Sequence, residues 1–140
     1  MLNPYIKNVN AYKNNEILTA PPERLMIMMF DGAIQFLFKA RKGIKDNIPA
    51  DICNNIIGCQ KILREFMKTI DLENGNDVGK QLFVFYDGLV RALYKVNRKK
   101  DEELLEKVID DLKNLRSAFL GAIDIVVKEK AETQQQFDAD

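Results

Sequence analysis

Phe30-Asp31-Gly32-Ala33-Ile34-Gln35-Phe36-Leu37-Phe38-Lys39-Ala40 returns fifty-six residues later as Tyr86-Asp87-Gly88-Leu89-Val90-Arg91-Ala92-Leu93-Tyr94-Lys95-Val96. Asp-Gly, Leu and Lys are identical in the two copies, and nearly every other position keeps its polarity. The likeness runs back through Met26-Ile27-Met28-Met29 against Leu82-Phe83-Val84-Phe85. It also runs forward: Ile52, Ile56, Cys59, Leu63, Phe66 and Ile70 share that offset with Val108, Leu112, Leu115, Phe119, Ala122 and Val126. The chain therefore reads as two similar helical hairpins, neither able to bury its apolar faces alone. Side by side they make an all-α fold, an antiparallel four-helix bundle, with a short N-terminal segment packed on it or detached from it.

The punctuation along the chain sets the helix limits. Pro21-Pro22-Glu23 opens the first helix, with Pro22 suited to the first helical position and Glu23 to the positive end of the dipole. That helix runs to about Lys45, and Pro49 separates it from a second beginning near Asp51 and ending near Asp71. Asn74-Gly75-Asn76 supplies a turn, Asp77 starts a third helix reaching about Asn97, and a fourth runs from about Asp101 to Lys130. Residues 21–130 form the bundle, 1–20 precede it as a docking or capping segment, and 131–140 form a polar tail expected to fray.

Composition narrows the function classes. The 140 residues are 46% hydrophobic, enough for one domain with a real core. Lysine plus arginine and aspartate plus glutamate stand at 21 each, so no global field draws nucleic acid. No apolar run reaches membrane-spanning length and no signal peptide opens the chain, so no stable membrane insertion is expected and the protein reads as cytoplasmic. Cys53 and Cys59 lie roughly 120° apart on one helix, cannot join each other, and read as small apolar residues. Histidine is absent, which removes the Glu-x-x-His pattern of di-metal bundles and every Ser-His or Cys-His nucleophile. The loop 71–77 lacks the alternating ligands of a calcium site. No catalytic residue, metal or cofactor is expected, and the protein reads as a non-enzyme.

The informative feature is surplus apolar surface. In the first helix Met26, Phe30, Ala33, Leu37, Ala40 and Ile44 form the core seam, flanked by Ile27, Ile34 and Phe38 on one side and by Met29 and Phe36 on the other. The third helix repeats the plan: Leu82, Tyr86, Leu89, Leu93 and Val96 make the seam, flanked by Phe83, Val90 and Tyr94. A four-helix domain encloses no helix fully, so Ile27, Ile34, Phe38, Phe83, Val90 and Tyr94 are candidate groove residues for a partner helix. Mid-helix Gly32 and Gly88 are expected at a close helix crossing, since glycine there costs about 1 kcal/mol relative to alanine. Before Pro21, Tyr5, Val9 and Tyr12 fall on one face of a short amphipathic helix, followed by Ile17-Leu18. Such a segment must dock to order, on its own bundle or on another protein.

Asn10-Ala11-Tyr12, Thr19-Ala20-Pro21-Pro22-Glu23-Arg24-Leu25 and Met29-Phe30-Asp31-Gly32-Ala33 resemble the opening of the bacterial flagellin-specific export chaperone, the FliS family. The resemblance continues in order through Gln60-Lys61-Ile62-Leu63, Gly75, Leu82, Tyr86-Asp87, Arg91, Leu93, Asn97 and Leu115-Arg116, spanning roughly residues 9–128. It departs at Pro21, at Phe119 where Trp is common, and at Gly88 where an aromatic is usual. The resemblance implies a cytosolic helical bundle whose apolar grooves hold the C-terminal region of unpolymerised flagellin, preventing premature assembly. It also implies an N-terminal segment, here Tyr5, Val9, Tyr12, Ile17 and Leu18, that closes a groove and docks at a flagellar export gate component. Two other classes stay open on residues alone: a generic helical adaptor or homo-oligomer, including a weak homodimer, and a nucleic-acid binder using the basic ends of the first and third helices.

Overall fold

A computed structural model of the chain describes residues 21–73 and 77–139. They form four helices, α1 (Pro22–Asp46), α2 (Pro49–Lys68), α3 (Asp77–Lys99) and α4 (Glu102–Ala139), joined by short connections into an antiparallel bundle. Proline at the first turn starts both α1 and α2, and neither N-terminus has a side-chain cap. Between them Asn47 adopts the left-handed conformation with φ 54°, and the Asn47 and Ile48 amides return to the Ile44 and Gly43 carbonyls. That compact stop lets α2 begin on Pro49 itself rather than near Asp51: the ring needs no hydrogen bond at the first helical position. Asp101 caps α4 as its sequence position suggests, accepting from the Leu104 amide at 3.0 Å. The far end of α4 differs from expectation. The helix continues to Ala139, well past Lys130, because Ala131, Glu132 and the Gln134–Gln136 run are acceptable helix formers and neither Gly nor Pro intervenes.

Both seams read from the sequence lie where the periodicity puts them. Phe30, Ala33, Leu37 and Ala40 of α1 and Tyr86, Leu89, Leu93 and Val96 of α3 are buried, with Met26, Ile44 and Leu82 packed at the margins. One aromatic ring from each helix joins a central stack. Phe30 meets Phe66 at 4.6 Å and Phe119 at 6.1 Å between centroids, and Phe66 meets Tyr86 at 5.5 Å. Around the bundle α1 packs against α2 and α4, α2 also against α3, and α3 and α4 approach each other least.

Of the two mid-helix glycines expected at a crossing, Gly32 is buried and Gly88 is exposed. A Cβ on Gly88 would meet nothing within 4 Å, so no neighbour justifies that glycine. It is Gly58 of α2 that accepts a neighbour: a Cβ there would lie 2.7 Å from two ring carbons of Phe36. The duplication is also unequal. Ile52, Ile56, Cys59, Leu63 and Phe66 are all buried and Ile70 half-buried, but of the six α4 counterparts only Val108 and Leu112 are buried; Leu115 and Phe119 sit at the edge, and Ala122 and Val126 are exposed. From Lys113 to Gln136, α4 has no buried residue. It overhangs the shorter helices.

Candidate functional site

The offset of fifty-six residues sends α1 onto α3 and α2 onto α4, so the α1–α4 seam and the α3–α2 seam are equivalent by the repeat. Each seam carries one of the flanking stripes expected to form grooves. The two stripes therefore lie in separate seams.

In the α1–α4 seam the stripe is largely covered. Ile34 is buried in the core, Ile27 is half-buried, and Phe38 is half-buried beneath two cations. The Arg41 guanidinium lies 4.9 Å and the Lys113 ammonium 5.3 Å from the Phe38 ring centre. Arg116 Nε donates to Asp31 Oδ1 at 2.6 Å, and Arg41 Nη1 to Glu106 Oε1 at 2.7 Å, tying α4 to α1 on either side of that ring. These pairs are a third to a half exposed, so each contributes at most about 1 kcal/mol.

The α2–α3 seam is more open. Val90 is buried, Phe83 half-buried, and Tyr94 is 53% exposed. Ile34 and Val90 are thus core residues that support their seams from beneath, while Ile27, Phe38, Phe83 and Tyr94 reach the surface. Arg64 Nη2 donates to the Tyr94 hydroxyl at 2.5 Å, and below it Gln60 Nε2 donates to the Val90 carbonyl at 3.0 Å. Toward the start of α2 the seam widens into a cleft of about 650 Å³ lined by Pro49, Cys53, Tyr94, Asn97, Arg98 and Lys100.

Further apolar surface lies outside the residues picked from the sequence. Val78 and Phe85, seven apart on the edge of α3 away from Tyr94, are both exposed, as is Val84. On α4, Ile125, Val126 and Val127 are exposed where the helix overhangs. The spacing of Val78 and Phe85 was readable in the sequence. The exposure of Ile125 to Val127 was not, because it depends on where the other three helices stop.

Polar chemistry is sparse. Cys53 and Cys59 are free thiols, and burial pushes Cys59 upward in pKa, making it inert. Burial likewise raises the Tyr86 phenol to about 12. Among the described residues no cluster of three or more Cys, Asp and Glu side chains could hold a metal, and no helix is long and apolar enough to cross a membrane. Tyr5, Val9, Tyr12, Ile17 and Leu18 lie outside the described residues.

Among the described residues the bundle thus offers surplus apolar surface on α3 and no metal-holding cluster. The model of the family described as flagellar protein FliS matches residues 5–126. The chain belongs to the FliS family. Among its relatives, the flagellar secretion chaperone FliS of Bacillus subtilis (strain 168) is 28% identical over 128 residues, covering 91% of this chain and 92% of that protein. The flagellar secretion chaperone FliS of Vibrio cholerae is 26% identical over 118 residues, 80% of this chain and 85% of the relative. That of Salmonella typhimurium is 27% identical over 104 residues, with 74% and 77% covered. The FliS match takes in Tyr5 to Leu18, the whole of α1, α2 and α3, and most of α4. It stops at Val126, where the overhang of α4 continues.

Proposed function

We propose that this FliS-family chain is a cytosolic export chaperone that holds unpolymerised flagellin by its C-terminal region and delivers it to the flagellar secretion apparatus. The observation that carries the reading is the apolar surface that α3 leaves open on its two edges, Phe83 half-buried and Tyr94 exposed on the α2 side, and Val78 and Phe85 exposed on the other. An amphipathic client helix laid on such a face buries apolar area at about 25 cal/mol per Å². The aromatic rings would be its anchors. Ile27 and Phe38 give α1 a smaller contact of the same kind, with Ile34 and Val90 supporting from below. Delivery is assigned to the N-terminal residues: Tyr12 with Tyr5, Val9, Ile17 and Leu18 would close the client face or dock at an export gate component.

Co-expression with flagellin tests this reading. The chain should co-purify with flagellin and keep it from polymerising. Flagellin that elutes alone and polymerises at its usual rate would overturn it. Self-association is the second reading, favoured by Ile125, Val126 and Val127 on the overhang of α4. Light scattering decides it: a dimer that persists on dilution and ignores flagellin supports an adaptor.

A further inference from the structure

Gln60 is the one buried polar side chain in the described core, 2% exposed. It donates to the carbonyl of Val90, a residue in the middle of α3 whose carbonyl also faces the helix ladder. The amide is therefore not there to rescue an orphaned backbone group. Burying it costs desolvation, and what it returns is direction.

The rung is roofed by two long side chains. The α2 and α3 helices run antiparallel, and Arg64 and Tyr94 each lie four residues beyond the rung in their own chain direction, about 6 Å each way at 1.5 Å per residue. They reach toward each other along the seam and meet in the hydrogen bond of 2.5 Å, with the guanidinium 6.0 Å from the ring centre. The repeat makes the contrast plain. The counterpart of Gln60 in the α1–α4 seam is Arg116, whose tie to Asp31 is a surface ion pair. The counterpart of Asp31 is Asp87, and it pairs with Arg91 of its own helix at 2.9 Å.

We propose that Gln60 is a positioning residue: its hydrogen bond to Val90 sets the register of α3 on α2, and so fixes where Arg64 latches Tyr94 on the surface. Apolar side chains tolerate neighbouring registers. A buried amide does not, because a slide of one residue moves the carbonyl by about 1.5 Å and turns it by about 100°. The register claim stands without the client; only its consequence for Tyr94 rests on the flagellin reading.

Gln60→Met keeps the volume and removes the donor. Its thermal midpoint should hold or rise, since apolar replacement of a buried polar group is often neutral or better. Amide exchange over residues 86–97 should nonetheless quicken about fivefold relative to α1, the factor one net hydrogen bond is worth. Gln60→Glu supplies a rescue. As the neutral acid it can donate to the Val90 carbonyl; once ionised it cannot, and Arg64 one turn on draws it outward. Parent-like exchange in α3 should appear below the pKa of that carboxyl and vanish as pH rises through it, with the parent at each pH as control. Unchanged exchange in Gln60→Met, or a Gln60→Glu profile that ignores pH, overturns the proposal. If Gln60→Met does not fold, the Gln60→Glu profile decides alone. Faster α3 exchange with unchanged flagellin affinity upholds the register and removes Tyr94 from the client face. Lost affinity with unchanged exchange overturns the register and leaves the client face standing.

Discussion

Adding one methyl group at Gly58 tests how closely α1 and α2 cross. In the native bundle a Cβ at that position would stand 2.7, 2.7 and 2.9 Å from the Cε1, Cζ and Cδ1 atoms of Phe36. Carbon atoms in good contact are about 3.5–4.0 Å apart, so the ring or the helix must move by close to an ångström. Phe36 is buried, which confines that movement. Overpacking of this kind costs about 1–3 kcal/mol. The gain in helix propensity on replacing glycine by alanine, about 1 kcal/mol, offsets part of it. Gly58→Ala should therefore be neutral to destabilising by about 2 kcal/mol. Gly88→Ala and Gly121→Ala, where a Cβ meets nothing within 4 Å, should gain up to about 1 kcal/mol. Calorimetry of the three variants should place Gly58→Ala several degrees below the other two, at roughly 3 °C per kcal/mol for a domain of this size. In a Phe36→Leu background the penalty should vanish, giving a coupling of about 1–3 kcal/mol in the double-mutant cycle. The reasoning fails if Gly58→Ala stabilises as much as Gly88→Ala.

Three further outcomes follow from the packing. Unfolding monitored above pH 8 should show stability falling from about pH 9 toward pH 12, because the unfolded Cys59 thiol and then the unfolded Tyr86 phenol ionise while burial holds the folded groups neutral, Tyr86 to about 12; Tyr86→Phe should flatten that slope above about pH 10. A thiol reagent should modify the half-buried Cys53 of the native protein and reach the buried Cys59 only on unfolding, and two equal rates would show the core around Cys59 to be open. Asp31→Asn should cost no more than about 1 kcal/mol, with a deficit that shrinks as salt is added, since the Arg116 pair is partly exposed; a larger, salt-independent loss would mean that this pair is a structural lock.

Much of this fold was legible before any coordinates, because its main signal is periodic. Phe30-Ala33-Leu37-Ala40 and Tyr86-Leu89-Leu93-Val96 repeat every three or four residues, and the structure buries all eight. Helix ends were less legible. Pro49 can break a helix or begin one, and the left-handed Asn47 that decides between them has no signal beyond its residue type. Gly88 shows the limit of reasoning from one residue: its place in the repeat suggested a crossing, yet the crossing came at Gly58, which has no counterpart glycine in α4. The candidate face was half legible. Spacing put Phe83, Val90 and Tyr94 on one flank, but their division into half-buried, buried and exposed depends on how far Arg64 and Gln60 of α2 reach across. In the sequence, nothing but its place between the apolar Cys59 and Ile62 marks Gln60 as interior. Only the neighbouring helix makes it an interior group.

Isothermal titration of the purified chain with flagellin, and with flagellin lacking its C-terminal region, tests the central claim most directly. Parent protein should bind the full-length monomer and show no heat with the truncated one. Phe83→Ala or Tyr94→Ala, still folded, should lose about 2 kcal/mol or more of binding free energy if the ring is a buried anchor. Equal binding to both flagellins, or both variants binding as tightly as the parent, would contradict a client held by its C-terminal region on the face of α3.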